Sequence, residues 1–352
     1  MTAFFAFAYY YLAAFRPIIF VFYGWTVIKF LLNKPTVSLS EGLLLAFLAF
    51  RLVTGYDQIG FLSSILYLRL FWGFVFFYLY FKVTPIRLET AFIFLAIITC
   101  CEYLLIHLFP GSIDILPNYL QKDVIKQFYS SVSWLGGAYG FGGNRTVTGV
   151  ILLSFFAYFD QNKIEGKWFC LLGSILCFSG TASVLLVVYL IATNFNLLKN
   201  KLAGAFILVA VIAFIMFIVF SDNEIFYRLS WEYVTYIIFE FKAAQIEEAI
   251  TILDHNMLSM LFGNHVFSGE SAEVSGYGVS FGDFMWLEFF IQYGLVGIVT
   301  IFGFVLVRIN QVNRWPILLL LVGTFHYHVI FSVPGQLVLA YFLTRKSIGS
   351  EV

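Results

Sequence analysis

The sequence predicts an all-α integral membrane protein, and three observations support this class: the composition, the continuity of the apolar runs and the placement of the basic residues. Of the 352 residues, 61% are hydrophobic and only 11% are charged. A soluble domain exposes too much surface to carry such a composition, so we expect a lipid bilayer around the chain. Because the apolar runs are continuous rather than alternating, helices are favoured over the strands of a membrane barrel.

The apolar runs predict eleven or twelve membrane-spanning helices. Residues 3–31 form either one long tilted span or a hairpin broken at Arg16-Pro17, since proline disrupts a helix interior. Several other runs are shorter than the about 20 residues that cross a bilayer unaided, so we expect them to extend into their flanks or to lie inside the bundle. These other runs are 40–54, 61–81, 88–109, 145–160, 168–180, 181–198, 203–220, 284–307, 315–331 and 334–344.

The basic residues predict the orientation of the spans. Six short connections carry them, and all six fall on one side if the spans alternate, which makes that side cytoplasmic. The C-terminus then lies in the cytoplasm, and two long polar segments, 110–144 and 221–283, become external loops of one polytopic membrane domain. The connections carry Lys34, Lys82 with Arg87, Lys163 with Lys167, Lys199 with Lys201, Arg308 with Arg314, and Arg345 with Lys346.

The second external loop is acidic and contains an amphipathic helix. It carries ten acidic residues and only two basic ones, Arg228 and Lys242. Apolar residues recur at spacings of four and three from Phe239 to Met260, which predicts a helix over about 239–261. Such a helix lies at a membrane surface, covers a cavity or packs against neighbouring loop structure.

Several kinds of site and partner are disfavoured by what the sequence lacks. The net charge is zero and no basic stripe exists, which argues against binding to nucleic acid. No metal-ligand spacing, phosphate-binding Gly-x-x-x-x-Gly-Lys loop or Rossmann glycine run is present, so we expect neither a metal nor a cofactor. The four cysteines lie inside apolar runs, which favours simple packing.

The first external loop re-enters the membrane at residues 142–149, which read GGNRTVTG. Glycines let a backbone approach a ligand closely, and a helix start offers free N–H donors at a positive dipole end. Arg145 adds a guanidinium fork that suits phosphate, so the segment fits a diphosphate. An arginine at this position also suits contact with lipid headgroups. Arg228 and Lys242 either add to the phosphate-facing charge or pair with neighbouring acids.

Acid–base candidates lie near the exit of the second loop. Asp283 directly precedes the predicted span 284–307, and His265 lies earlier in the loop. Either side chain could accept the proton of an attacking hydroxyl. Asp283 also suits the capping of the following helix, and His265 an ordinary loop position. Glu288, one turn into the span, could face the same cavity.

Arg69 and Glu102 lie deep inside predicted spans, where an unpaired charge is costly. Arg69 lies eight residues from the outer end of its span, and Glu102 lies seven from the outer end of its own. At 1.5 Å per residue, both lie roughly 10–12 Å deep. Their matching depth and opposite charge predict an intramembrane pair, which we interpret as structural.

Three stretches, in order, resemble the O-antigen polymerase and ligase superfamily. Residues 143–149 are similar to the family's arginine-and-glycine re-entry, and residues 178–183, FSGTAS, to its Ser/Gly/Thr break between short spans. Residues 261–264, followed by Asp283 and by Gly294-x-x-Gly297, resemble the family's loop exit. The segment 241–246 resembles the loop helix, with Lys242 where an arginine is frequent.

Two departures from the family pattern bear on function. The Arg-x10-Gly pattern is absent after both Arg145 and Arg228, which weakens the transfer of roles to single residues. Aspartate replaces the histidine that many ligases carry at the loop exit, and this favours a polymerase over a ligase. A ligase that moves finished glycan to a lipid A core, and a transporter or flippase of lipid-linked sugars, are the alternatives.

The resemblance implies a helical bundle like that of type C glycosyltransferases, located in the bacterial inner membrane. It implies a metal-independent, inverting polymerase of O-antigen, capsule or a similar surface polysaccharide. The growing glycan on undecaprenyl diphosphate would be the donor, and the sugar of an incoming lipid-linked repeat unit the acceptor. Arg145, Arg228 and Lys242 would hold the diphosphate, and Asp283 or His265 would be the base. Whether a chain-length regulator assists is left open by the sequence.

Overall fold

The structure, a computed structural model, describes residues 18–59, 69–114, 137–193, 235–253, 256–263, 285–325 and 327–345. Every regular element in these segments is a helix. Short 3-10 helices lie at Pro110–Asp114 and Gly140–Gly142, and a π-helix lies at Tyr236–Phe241. The α-helices are α1 (Ile18–Asn33), α2 (Leu39–Ile59), α3 (Arg69–Val83), α4 (Glu89–Leu108), α5 (Arg145–Asn162), α6 (Lys167–Leu176), α7 (Gly180–Thr193), α8 (Lys242–Ile252), α9 (Met257–Phe262), α10 (Met285–Leu306), α11 (Arg314–Gly323) and α12 (Val333–Leu343).

The all-helical class is confirmed, and most described helices coincide with predicted spans. α4 and α5 match the runs 88–109 and 145–160 to within two residues at each end. The predicted span 203–220, residues 3–17 and most of both external loops lie outside the described residues. By length and composition, two described helices, α4 and α10, are apolar enough to cross a membrane. α10 reaches that length only across a break in its backbone.

Five of the six basic connections meet at one end of the bundle, here called the basic end. Glu41 of α2 lies 2.7 Å from Lys82 of α3 and 3.4 Å from Arg308, which follows α10. Further contacts join the remaining connections to this end: Asn310 Nδ2 to the Arg345 carbonyl, Asn162 Nδ2 to the Val312 carbonyl and Lys167 to Asp160. The sixth connection, with Lys199 and Lys201, lies outside the described residues. Spans that alternate in direction predict such a grouping of charge.

Large apolar side chains cover much of the outer surface of the bundle. Val21 of α1, Val53 of α2, Phe94 of α4 and Trp168 of α6 each expose more than 60% of their surface, at 70%, 72%, 63% and 65%. Monomeric soluble proteins rarely expose contiguous apolar surface on this scale. The exposed helix faces are therefore typical of contact with lipid or with other protein.

α11 and α12 form a hairpin. The start of α11 and the end of α12 both lie at the basic end. Asn313 Nδ2 donates to the carbonyl of Phe342 at 3.0 Å, and Asn310 joins the chain just after α12. The helices have 10 and 11 residues, or about 15–17 Å each, so neither crosses a bilayer alone. Residues 324–332 connect them and are here called the hairpin tip. Every residue from Pro334 to Leu343 is buried, which places α12 in the core, as predicted for short runs.

α10 is two helical arms rather than the single predicted span 284–307. Gly294 has φ 65° and ψ −175°, which interrupts the helix. The rings of Trp286 and Phe302 lie 4.7 Å apart between centroids. A straight helix would separate these two positions by about 24 Å, so the arms fold towards each other. Periodicity did not reveal the break because both arms are continuously apolar.

The break in α10 is held by α9 and by an arginine of α2. A Cβ on Gly294 would lie 2.3 Å from the carbonyl oxygen of Leu261, so α9 packs directly into the bend. Arg51 Nη2 donates to the carbonyl of Gln292 at 2.7 Å, and the Arg51 side chain is almost fully buried. Two parts of the loop-exit pattern, residues 261–263 and Gly294, are thus in contact.

The predicted loop helix at 239–261 is divided into α8 and α9. Asn256 begins the second helix, because its Oδ1 accepts the N–H of Leu258 at 2.9 Å. The buried face coincides with the predicted stripe only in part: Leu253 of the stripe packs against α10 beside Ala249 and Ile252, whereas Phe239 and Met257 of the stripe are exposed. The stripe residues Phe239, Ile246 and Met257 therefore face away from the bundle, as expected for a helix that rests on lipid.

Candidate functional site

The turn before α5 is fixed by its own polar groups. Gly140 and Gly143 adopt left-handed φ values of 59° and 66°, which favour glycine and reverse the chain. Asn144 caps α5, since its Oδ1 accepts the N–H of Thr146 at 2.8 Å. The hydroxyl of Thr148 accepts the N–H of Gly142 at 2.9 Å and donates to the carbonyl of Tyr139. Residues 139–145, here called the re-entry turn, are thus held in one conformation.

Glu102 of α4 stabilises the re-entry turn through its side chain. Its Oε1 accepts the backbone N–H groups of Tyr139 and Gly140, each at 2.9 Å, and the side chain is only 5% exposed. The sequence predicted a pair between Glu102 and Arg69. Arg69 begins α3, but its side chain lies outside the described part of the chain, so the pair stays a prediction. The Glu102 carboxylate holds the turn through charge-assisted hydrogen bonds.

The break between α6 and α7 lies directly beside the re-entry turn. Ser179 Oγ donates to Thr146 Oγ1 at 3.1 Å and accepts the N–H of Ala182 at 3.3 Å. The N–H of Ala138 donates to the carbonyl of Leu176, which ends α6. Two motifs that carried the family resemblance, separated in sequence, therefore form one site with the starts of α5 and α7 side by side.

Within the described part of the chain, the site holds a positive charge and backbone donors that have no acceptor. Arg145 makes one described contact, with its guanidinium 5.8 Å from the ring centroid of Tyr139, and no described carboxylate lies within ion-pair distance. The N–H groups of Gly180 and Thr181, at the start of α7, have no described acceptor. Open space lies beside Gly180, where an added Cβ would meet no atom within 4 Å. A guanidinium and free N–H groups at a helix start are the donors that phosphate prefers.

Tyr139 connects the re-entry turn with the hairpin tip. Burial raises the pKa of its phenol above the ordinary value, Arg145 opposes that rise, and Tyr327 of the tip adds to it. The three side chains are therefore close enough to interact electrostatically. Phe331 of the tip stacks on Phe289 of α10 with 5.0 Å between ring centroids. The tip thus lies between the re-entry turn and the first arm of α10.

The other predicted site residues are only partly described. Asp283, His265 and Arg228 lie outside the described residues, and their roles stay predictions. Lys242 is the first residue of α8, which packs against the first arm of α10 through Ala249 and Leu253. Among the described residues no group of three His, Cys, Asp or Glu side chains could hold a metal ion.

Sequence reasoning missed three members of the site: Tyr139, Thr148 and Tyr327. Thr148 stands inside the quoted glycine-rich stretch, and its spacing from Gly142 could have suggested a bond within the turn. Tyr327 lies far from Tyr139 in sequence, and only the fold of the hairpin brings the two together. No periodicity or local motif in the sequence predicts that Tyr139 and Tyr327 lie near each other.

Comparison of the chain with protein-family models, with curated proteins and with solved structures finds no match.

Proposed function

We propose that the protein is a polymerase of lipid-linked oligosaccharide repeat units for O-antigen, capsule or a similar surface polysaccharide. It transfers the growing glycan from undecaprenyl diphosphate to the sugar of an incoming repeat unit, as a metal-independent, inverting glycosyltransferase. The observation that carries the proposal is that Arg145 and the first N–H groups of α7, on two adjoining helix starts, have no acceptor among the described residues.

The proposed chemistry needs an anion site and a base. A hydroxyl oxygen of the acceptor sugar attacks the anomeric carbon of the donor, and the bond from that carbon to the diphosphate oxygen breaks. The electron pair leaves with the diphosphate, whose growing negative charge Arg145 and the α7 N–H groups stabilise. Arg228 and Lys242 of the second loop add positive charge. The hydroxyl proton passes to Asp283 or His265.

The surface of the bundle supports a membrane setting for this reaction. Its exposed apolar helix faces suit lipid, and the basic end suits the cytoplasmic side. The re-entry turn lies at the start of α5, whereas Asp160 and Asn162 at the far end of α5 contact the basic end. In this orientation the site opens to the outer face of the bacterial inner membrane, and the C-terminus is cytoplasmic.

Replacing Arg145 tests the proposal directly. Arg145→Ala should abolish long glycans while single repeat units still reach the cell surface, and Arg145→Lys should restore only part of the length because lysine lacks the bidentate fork. Glycan length on a gel is the readout. Arg87→Ala, an exposed arginine at the basic end, is the matched control and should leave the length distribution unchanged. An unchanged distribution in Arg145→Ala, with equal protein level, would refute the diphosphate role.

The base is tested separately at the loop exit. Asp283→Asn and His265→Gln each remove one candidate proton acceptor, and the variant that lacks the true base should accumulate short glycans while lipid binding persists. Asp283→Asn keeps the shape and most of the capping ability of aspartate, so a loss of polymer cannot be assigned to the helix start alone. Normal polymer in both variants would remove both residues from the chemistry.

A transporter of lipid-linked sugars is the second candidate, because α10 is broken. Interrupted helices often form the binding sites of transporters. Purified protein in liposomes distinguishes the two functions. A polymerase elongates glycan when donor and acceptor lipids are on the same face, whereas a transporter moves one lipid across the bilayer without lengthening it.

A further inference from the structure

α7 carries an exposed stripe of residues that begins beside the candidate diphosphate donors. Gly180 starts α7 and is exposed, and Val184, Val187 and Ile191 follow on the same face, with 61%, 45% and 38% of their surface exposed. Residues at spacings of four and three share one face of a helix. These four residues, here called the α7 stripe, extend about 17 Å from the helix start, which is about half the thickness of the hydrocarbon core of a bilayer.

The opposite face of α7 fixes the orientation of the α7 stripe. Leu185 and Tyr189 are buried on that face, and the Tyr189 hydroxyl donates to Asp160 Oδ2 of α5 at 2.9 Å. The rings of Tyr189 and Trp315 of α11 lie 5.7 Å apart between centroids, and a Cβ on Gly323 would lie 3.4 Å from Leu185 Cδ1. Because α5 and α11 hold α7 through this face, the α7 stripe faces away from both helices.

α11 extends the apolar surface beside α7. Leu318, Val322 and Phe325 recur at spacings of four and three, with 40%, 53% and 62% of their surface exposed. Val322 follows Trp315 by seven residues, or about two turns, so it lies on the side of α11 that contacts α7. A hydrocarbon chain on the α7 stripe therefore has apolar side chains of a second helix beside it.

The start of the α7 stripe is open and lies beside a positive charge. Ser179, directly before the stripe, donates to Thr146 at 3.1 Å, and Thr146 is the neighbour of Arg145 in the chain. An added Cβ on Gly180 would meet no atom within 4 Å, and Gly180 does not have a left-handed φ. Neither packing nor backbone geometry therefore requires a glycine here. A ligand that matches both the stripe and its start has an anionic head and a long apolar tail.

We propose that the α7 stripe is the docking track for the polyprenyl chain of the lipid diphosphate, which rests on the proposed function and deepens it. The diphosphate binds Arg145 and the first N–H groups of α7. The chain passes Gly180, where no side chain obstructs it, and runs along the stripe towards the basic end. Charge at the two helix starts and hydrocarbon contact on α7 thus hold the two ends of one ligand.

A photoreactive amino acid at Val184 tests which lipid occupies the α7 stripe. The full chain is illuminated in nanodiscs of defined phospholipid that contain a small fraction of polyprenyl diphosphate, and mass spectrometry identifies the adducts. Adducts with polyprenyl diphosphate at Val184 should exceed its share of the lipid by at least about fivefold. The same amino acid at Val53, which is 72% exposed on α2, is the control and should form adducts in proportion to the lipid composition. Excess inorganic diphosphate should reduce the Val184 adduct because it competes for the head.

A steric block at the start of the stripe provides a second measurement. Gly180→Leu places a side chain in open space, so the temperature of thermal unfolding should stay unchanged. The Val184 adduct with polyprenyl diphosphate should nevertheless fall at least about tenfold, because the leucine obstructs the passage of the chain. Gly303→Leu, which also fills open space but on α10, is the matched control and should leave the adduct unchanged.

The outcomes separate the docking track from the proposed function. A Val184 adduct that only follows the lipid composition, or that persists in full in Gly180→Leu, would overturn the docking track. The diphosphate role of Arg145 would then still stand on the glycan length of Arg145→Ala. Wild-type protein that binds no polyprenyl diphosphate would overturn the proposed function together with the docking track.

Discussion

Two arginines at opposite ends of the bundle differ in how many protein groups contact them. Arg308, at the basic end, donates to Tyr78 at 3.0 Å, to Ser40 at 3.0 Å and to Ser38 at 3.1 Å. It also lies 3.4 Å from the buried carboxylate of Glu41. The protein thus supplies hydrogen-bond acceptors and an ion-pair partner to the Arg308 guanidinium from several sides.

Arg145, in the re-entry turn, has a single described contact, with the ring of Tyr139. No described carboxylate lies within ion-pair distance of it, and the nearest described carboxylate of the turn, Glu102, is bonded to the backbone N–H groups of Tyr139 and Gly140. An arginine that joins α2, α3 and α10 is structural, whereas one left without an anion is available to a ligand. The number of protein acceptors around an arginine here distinguishes a structural role from availability to a ligand, whereas the depth of the arginine in the bundle does not.

The largest expected effect on stability is at Arg308. Arg308→Ala removes three side-chain hydrogen bonds and one of the two cations beside Glu41, which keeps Lys82 and Tyr78, and the free energy of unfolding should fall by about 3–5 kcal/mol. Thermal unfolding of purified protein in detergent measures the loss. Arg145→Ala should change the unfolding free energy by less than about 0.5 kcal/mol, because no described ion pair is broken. Equal losses in both variants would remove the distinction between the two arginines.

The next effect tests the bend in α10. Gly294→Ala forces a side chain into left-handed backbone and against the carbonyl of Leu261, and should cost roughly 2–3 kcal/mol. It should also loosen α9 and increase cleavage by protease near residue 263. Gly303→Ala in the second arm is the control, since an added Cβ there meets nothing within 4 Å. A Gly294→Ala protein as stable as this control would show that the bend is not required.

Substitutions of Glu102 test whether the re-entry turn depends on its hydrogen bonds to this carboxylate. Glu102→Ala leaves two backbone N–H groups unpaired and should cost about 1–3 kcal/mol, while Glu102→Gln retains an acceptor oxygen and should cost less. Glycan length should shorten in the alanine variant because Arg145 loses its fixed position. Combining each change with Arg69→Gln in a double-mutant cycle tests the predicted pair. Strictly additive costs would rule out direct coupling between Arg69 and Glu102.

The smallest effect is expected at Ser179. Ser179→Ala removes the cap of α7 and its tie to Thr146, for a loss of about 1 kcal/mol in unfolding free energy. Exposed Ser183, one turn further along α7, provides the control and should be neutral when changed to alanine. If both serine variants unfold alike, the contact between the two helix starts contributes nothing measurable.

The sequence was sufficient for elements whose signal is local. α4 and α5 stand as continuous apolar runs between polar connections, so their bounds could be predicted to within two residues. The predicted span 145–160 begins at Arg145, and in the structure α5 begins at the same residue, with Asn144 as its cap. Such features depend on neighbours along the chain.

What the sequence could not predict depends on contacts between distant residues. The bend at Gly294 requires α9 to occupy its concave side, and Leu261 lies outside the helix that bends. The sequence left the packing of α8 open, and its apolar stripe is divided in the structure, because Leu253 is buried against α10 whereas Ile246 is exposed. The meeting of Ser179 with Thr146, and of Tyr139 with Tyr327, follows only from the packing of α7 and the hairpin tip.

The central position of α12 has a consequence for how the molecule is made. α12 is buried on all sides and follows every other described helix in the chain. During synthesis the preceding helices are made before α12. The space that α12 fills between α3 and α5 therefore stays unpacked until this short segment has been synthesised. A premature stop codon before residue 333 would therefore yield a chain that quality-control proteases recognise by its unfilled interior.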